Sequence, residues 1–249
     1  MEEIEKLRKE NVQLKTINEN KSDVISITAH QLRTSLSALK WILKMFIDED
    51  VGKLTNEQSE LINKAYSSNE RMLSLVNDLL TLSHTEDASI TYAFEKIDFL
   101  KLIEQSLFDF SGETSKKGVE LIFLRPEGFL PPILGDKEMV RVIVQNLIEN
   151  SIKYSNNGGK VFISLKQVDE KIQFSVRDTG IGINKEDKDK IFTKFFRASN
   201  AIQKDNIGSG LGLFTTKNIV ERHGGKIWFE NAEDGGATFF VLLPISSII

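Results

Sequence analysis

The sequence predicts two structural classes in succession: an α-helical hairpin that forms a dimeric four-helix bundle, and then an α/β sandwich with helices on one sheet face. This prediction rests on three observations. Of 16 glycines only Gly52 precedes Gly112, and all 4 prolines follow it. An interior glycine costs a helix about 1 kcal/mol and a proline about 3, so a stretch free of both suits long helices. Within that stretch apolar residues recur alternately four and three apart. Beyond it, short β-branched and aromatic runs are bounded by glycine, asparagine and charged turns.

The elements follow in order. Ile4, Leu7 and Leu14 fall on a heptad with Asn11 and Asn18 at equivalent positions, which predicts a coiled-coil segment over 1–22 with polar register-setters. Val24, Ile27, Leu36, Leu39, Leu43 and Phe46 define the next helix, and Thr55-x-x-Gln58 supplies a capping box for its successor. That helix carries Leu61, Ala65, Ser68, Met72, Leu75, Leu79 and Leu82, a bundle seam. Two antiparallel helices do not easily bury both apolar faces alone, so residues 23–88 predict a homodimer. Residues 92–249 predict a helix over 98–111, a strand over 120–124 and a helix over 136–154. Strands are expected at 160–165, 172–177, 226–230 and 237–243. A helix over 213–223 ends at Gly224-Gly225, a C-cap signal.

Composition narrows the function. The chain has 249 residues, no cysteine, and 36 acidic against 32 basic side chains for a net charge of −4. Thiolate chemistry is excluded, and no positive field favours nucleic acid. No apolar run approaches the roughly 20 residues that cross a bilayer, and Met1-Glu-Glu-Ile-Glu-Lys opens a charged helix rather than a signal peptide. The expected location is the cytoplasm, or the cytoplasmic portion of a longer, membrane-anchored chain.

Two glycine clusters carry candidate chemistry. Asp178-Thr-Gly180-Ile-Gly182-Ile183 follows a strand, and Gly208-Ser-Gly210-Leu211-Gly212-Leu213 precedes a helix. A lone G-x-G is often just a turn. A pair flanking a helix N-terminus also lets backbone amides approach phosphate oxygens. No G-K-[ST] lysine follows, and the glycines do not open a first βα unit, which argues against Walker and Rossmann sites. Asn146, Asn150 and Lys153 share one helical face. An amide carbonyl with nucleotide phosphates and water can complete a Mg²⁺ shell while the lysine offsets phosphate charge; the alternative is a solvated polar stripe.

In order, Asn146-x-x-x-Asn150-x-x-Lys153-Tyr154, Asp178-x-Gly180-x-Gly182, Phe192-Thr-Lys-Phe195-Phe196-Arg197, Gly208-x-Gly210-Leu211-Gly212-Leu213 and Gly235-Gly-Ala-Thr238-Phe resemble the N, G1, F, G2 and G3 boxes of sensor histidine kinases. Ile27-Thr-Ala-His30-Gln31-Leu-Arg-Thr34-Ser35 resembles their H-box. The resemblance spans residues 23–249 and implies the GHKL (Bergerat) ATP-binding fold behind a dimerisation and phosphoacceptor domain. It implies ATP and Mg²⁺, with Asn150 as metal ligand, Asn146 near the reactive phosphate, and Lys153 and Tyr154 beside the nucleotide. It implies that Asp178 accepts from the adenine amine, a role suited to a group that only accepts. Gly180, Gly182 and Ile183 would line the base and ribose. Gly208, Gly210, Leu211, Gly212 and Leu213 would present amides to phosphate. Residues 184–207 would form a lid bearing Arg197 as a γ-phosphate clamp, with Thr238 near the adenine.

The same resemblance makes His30 the phosphoacceptor, Gln31 its neighbour, and Thr34 the residue that positions a hydrolytic water on a phosphorylated partner. His84 and His223, each ending a helix, are assigned to favourable dipole contacts instead. The sequence departs from the family twice. Gln31 stands where an acid is common, and glutamine orients an imidazole without serving as base at neutral pH. Ser35 replaces the usual proline, which removes a built-in kink. The implied partners are a response-regulator receiver domain and an upstream sensor domain coupled through residues 1–22. The alternatives are a GHKL ATPase of another kind, disfavoured because Asn146 cannot activate water, and a nucleotide-sensing scaffold or phosphatase-only homologue, whose support is Gln31 and Ser35.

Overall fold

The computed structural model describes residues 2–86, 91–204, 208–232 and 235–246. The chain divides into two compact units, residues 1–90 with 207–209, and residues 91–206 with 210–249.

The first unit is a helical hairpin of α1 (Glu2–Ile47) and α2 (Asn56–Glu86). α1 runs through Ser35 without a break. Where a proline would remove a hydrogen bond, the Ser35 hydroxyl instead donates to Gln31 O at 3.1 Å. The expected capping box forms: Thr55 N–H donates to Gln58 Oε1 at 2.9 Å and Gln58 N–H to Thr55 Oγ1 at 3.2 Å. The side chains of Ile4, Leu7, Asn11, Leu14, Asn18 and His84 lie outside the described residues.

Inside the hairpin Ala29, Val76 and Leu80 pack with Leu36, and buried Asn69 donates to Leu36 O at 2.9 Å. Part of the heptad seam on α2 points elsewhere, while its last residue, Leu82, is buried. Leu61 is 61 %, Met72 41 % and Leu75 47 % exposed, as are Val24 and Ile27 of α1 at 63 % and 61 %. The hairpin therefore has two apolar faces and uses one internally. A face this apolar left in water is a characteristic site of association.

The second unit is a two-layer sandwich. Its elements are β1 (Phe94–Ile97), α3 (Phe99–Asp109), α4 (Ser111–Lys117), β2 (Glu120–Leu124), β3 (Ile133–Asp136), α5 (Lys137–Tyr154), β4 (Lys160–Val168), β5 (Lys171–Asp178), α6 (Ser199–Lys204), α7 (Gly212–Arg222), β6 (Lys226–Asn231) and β7 (Ala237–Pro244). The five-stranded sheet has order β2-β4-β5-β7-β6, with β2 parallel to β4 and the other pairs antiparallel. Alternating residues of β5 and β7 are buried, including Ile172, Phe174, Val176, Phe239, Val241 and Leu243. They meet Ile143, Leu147 and Ile148 of α5 and Ile219 of α7 in one core. Burial of each such side chain contributes roughly 1.5–3 kcal/mol.

Two features depart from the sequence expectation. The helix over 98–111 is interrupted at Phe110 and resumes as α4. β1 and β3 form an antiparallel ribbon that was not expected, because each strand is short and its partner distant in sequence. Asp136 ties this ribbon to the helices. Its Oδ1 accepts from Glu138 and Met139 N–H at 3.1 Å each, capping α5, and its Oδ2 accepts from Ala93 N–H at 2.9 Å.

His223 has a different role from a charged dipole partner. It is buried; Nδ1 lies 2.7 Å from Ile219 O, and Nε2 accepts from Asp136 N–H at 3.0 Å. This pattern requires a neutral imidazole with the proton on Nδ1. Burial holds His223 below its ordinary 6.5, opposed by the Ile219 carbonyl and Asp136 and assisted by Arg222. Below 6.5 the unfolded chain takes up a proton the folded state resists, so acidification removes stability. Between pH 7 and 5 the melting temperature should fall more steeply for the parent than for His223→Gln, which keeps a donor and an acceptor but does not ionise there. Equal slopes would contradict the neutral-imidazole assignment. On the hairpin, Met72→Glu with Leu75→Glu should convert a dimer into a monomer by light scattering while helicity is retained.

Candidate nucleotide and phosphoacceptor sites

The end of β5 brings three backbone segments into direct contact. Asp178 is only 3 % exposed, and its Oδ1 accepts from Gly180 N–H at 2.9 Å and Ala237 N–H at 3.4 Å. A Cβ on Gly180 would sit 2.1 Å from Tyr154 O, and one on Gly236, whose φ is +85°, 2.0 Å from Asp178 O. Neither position admits another residue without moving the backbone. Ile181 N–H donates to Tyr154 O at 3.3 Å, so the loop after Asp178 is fastened to the end of α5. Lys117 closes that helix end by donating to Ile152 O at 2.7 Å and to Lys153 O.

One face of α5 meets the start of α7. Asn146 Nδ2 donates to Gly212 O at 3.4 Å and Thr216 Oγ1 at 3.3 Å. A Cβ on Gly212 would lie 3.7 Å from Asn146 Oδ1 and 3.9 Å from Asn150 Nδ2. Buried Leu211 occupies the N-cap position and offers no side-chain acceptor, which suits the first-turn amides to an outside anion. Lys153 Nζ lies 5.7 Å from the Tyr154 ring centroid at the same helix end.

The remaining predicted residues are distributed unevenly. Ile183 and Leu213 pack against the core, and half-buried Arg197 follows Phe195, whose φ is +61°. Gly210, at φ +70°, crosses that segment so closely that a Cβ would lie 2.7 Å from Phe195 C. Gly208 groups with the helical unit. Thr238 pairs with Arg177 and Glu230 in the sheet; by strand alternation it faces away from the side that Ala237 shares with Asp178. Residues 205–207 of the expected lid lie outside the described residues.

In the hairpin, His30 is exposed, with Thr34 one turn on. Thr34 Oγ1 donates to His30 O at 3.1 Å, and Arg33 Nε donates to Asn77 Oδ1 at 3.0 Å. Gln31, next in the chain, is exposed.

Comparison with known proteins matches two families in tandem. Residues 20–88 match the His Kinase A (phospho-acceptor) domain, and residues 135–247 match the histidine kinase-, DNA gyrase B- and HSP90-like ATPase family. The chain carries a sensor histidine kinase catalytic core. It is similar to drug sensory protein A of Synechocystis (34 % identical, 92 % of this chain, 36 % of that protein). It also resembles the adaptive-response sensory kinase SasA of Rippkaea orientalis (32 %, 98 % and 63 %) and WalK of Bacillus subtilis (30 %, 92 % and 37 %). Among solved structures, full-length ShkA in complex with AMPPNP aligns with TM-score 0.71 at 27 % identity, over 91 % of this chain and 46 % of that one. The histidine kinase core therefore spans 31 % to 63 % of the first three curated relatives. Its second unit carries an ATP-binding domain. Among the described residues no helix of this kinase is long and apolar enough to cross a membrane.

The geometry adds residues to the kinase site that the sequence did not single out. Ala237 supplies a backbone donor to Asp178, and Lys117 caps the helix that carries Asn146 and Asn150. Asn231 and Asn200 hold the loop at Gly182–Ile183. These contacts join distant segments, and no local spacing signals them.

Burial raises Asp178 to about 6, against the lowering effect of the Gly180 and Ala237 amides. Keeping the carboxylate ionised at neutral pH thus costs the fold roughly 3 kcal/mol. Because the folded value is raised, this penalty is full above 6 and is relieved as pH falls towards 3.8. Asp178→Asn should raise the melting temperature of the kinase core at pH 8 and weaken ATP binding at least 100-fold, about 2.7 kcal/mol. Calorimetry of both properties checks the trade.

Proposed function

We propose that this chain is an ATP-dependent histidine autokinase whose acceptor is His30 and whose phosphoryl group passes to an aspartate of a response-regulator receiver domain. The observation that carries this reading is the packing of the first turn of α7 against Asn146 and Asn150, with Gly212 between them. A helix N-terminus and two side-chain amides there suit an anion, and buried Asp178 lies by the C-terminal end of α5, one turn beyond Asn150.

The chemistry follows from the groups present. A ring nitrogen of His30 attacks the γ-phosphorus of ATP, a P–N bond forms as the P–O bond to ADP breaks, and the imidazole releases its N–H proton. Gln31 orients the ring without accepting that proton, and exposed His30 passes it to solvent. The receiver carboxylate then displaces the phosphoryl group from nitrogen. Asn150 is the metal ligand; among the described residues no cluster of three His, Asp or Glu side chains forms a separate cage. This donor set fits Mg²⁺, which keeps waters and takes phosphate oxygens and supplies charge neutralisation when bound. Lys153 and Arg197 add cationic charge at the phosphates, and Asp178 selects adenine.

The kinase works as a homodimer through the seam on α2, and residues 1–22 couple it to a sensor domain in a cytoplasmic setting. Thr34 positions water for dephosphorylation of the receiver. Incubation with γ-labelled ATP and Mg²⁺ should give acid-labile, alkali-stable label that is absent from His30→Ala and reduced at least 100-fold in Asn150→Ala. In the same assay Thr34→Ala should keep label and lose receiver dephosphorylation. A parent chain that binds ATP and takes no label would overturn the autokinase assignment.

A further inference from the structure

The loop after Asp178 is held from two directions by asparagine side chains. Asn231, the last residue of β6, accepts from Ile183 N–H through Oδ1 at 3.0 Å and donates through Nδ2 to Ile183 O at 2.6 Å. One side-chain amide thereby satisfies both backbone groups of one residue, as a neighbouring strand would. From the other side Asn200, on α6, donates to Gly182 O at 3.1 Å. Gly182 itself has φ +63°, and a Cβ there would come 3.3 Å from Gly236 O and 3.6 Å from Asn231 Oδ1.

The register of the sheet connects this clasp to the carboxylate. Asn231 pairs with Ala237 across β6 and β7, and Ala237 N–H donates to Asp178. Asn231, Ala237 and Asp178 therefore form a cross-strand row at one sheet end, and the loop from Gly180 to Ile183 is pinned at both ends of that row. Asn231 is exposed and contributes nothing to the apolar core. Its side chain is spent on fixing the path of a loop whose start lies against Asp178.

We propose that Asn231 is a positioning residue for the adenosine half of the nucleotide, acting through the Ile183 peptide, and this rests on the reading of the second unit as the ATP site. The clasp sets where the loop passes the base and ribose and has no part in the phosphoryl transfer itself. Loss of Asn231 therefore weakens ATP and ADP equally, unlike loss of a group that meets the γ-phosphate.

The test measures equilibrium binding of Mg-ATP and Mg-ADP by the full chain, with thermal unfolding alongside, for the parent, Asn231→Ala, Asn231→Asp and Arg197→Ala. Asn231→Ala should weaken both nucleotides by the same factor, about tenfold for two lost hydrogen bonds. The isosteric Asn231→Asp should do no better than alanine, because its second oxygen faces Ile183 O without a proton. Arg197→Ala should weaken ATP more than ADP. Parent-like binding by Asn231→Asp shows a space-filling side chain and overturns the proposal. So does a selective loss of ATP, or loss of cooperative unfolding in both Asn231 variants. A parent chain that binds neither nucleotide overturns the ATP-site reading, and this role with it.

Discussion

The ATP-binding unit depends on a buried carboxylate enclosed by backbone. At the end of β5 the Asp178 side chain is removed from water, and glycines 180 and 236 allow two further chain segments to approach it more closely than any side chain permits. The fold accepts an ionised group at a cost of roughly 3 kcal/mol, offset by the packed sandwich around it. The loop geometry, the hold on Tyr154 and the row ending at Asn231 all follow from this close crossing. A carboxylate enclosed in this way is tolerated only because the packed core around it holds the crossing segments in place.

Asp136 and His223 serve the opposite end of the same helices. Asp136 caps α5, receives the chain entering from residue 93, and donates its own N–H to His223 at the end of α7. The two helices that present the amides and the first-turn N–H groups are thus fixed by one neutral imidazole. Its proton uptake would break a backbone hydrogen bond, so acid loosens this end while the relieved Asp178 stabilises the other.

The helical unit is organised by a division of faces. Asn69, Val76 and Leu80 close the hairpin, whereas the stronger heptad of Leu61, Met72 and Leu75 lies outside. The more regular pattern therefore lies on an exposed face rather than in the hairpin interior. Ser35 keeps α1 continuous past His30, and the hydroxyls of Thr34 and Ser35 bond back to the preceding turn. This helix passes His30 without the kink that a proline would impose.

The amino-acid sequence by itself determined the division between breaker-free helices and glycine-punctuated strands. It also determined the polar stripe of Asn146, Asn150 and Lys153, and the glycine pairs, because those signals are local spacings within one element. The capping box at Thr55 and Gln58 was legible for the same reason. Tertiary structure decided what depends on segments distant in the chain: the β1–β3 ribbon, the neutral His223, and the Asn231 clasp on Ile183. It also set the Ala237 N–H beside Asp178, since the register of β7 against β5 joins positions far apart in the chain.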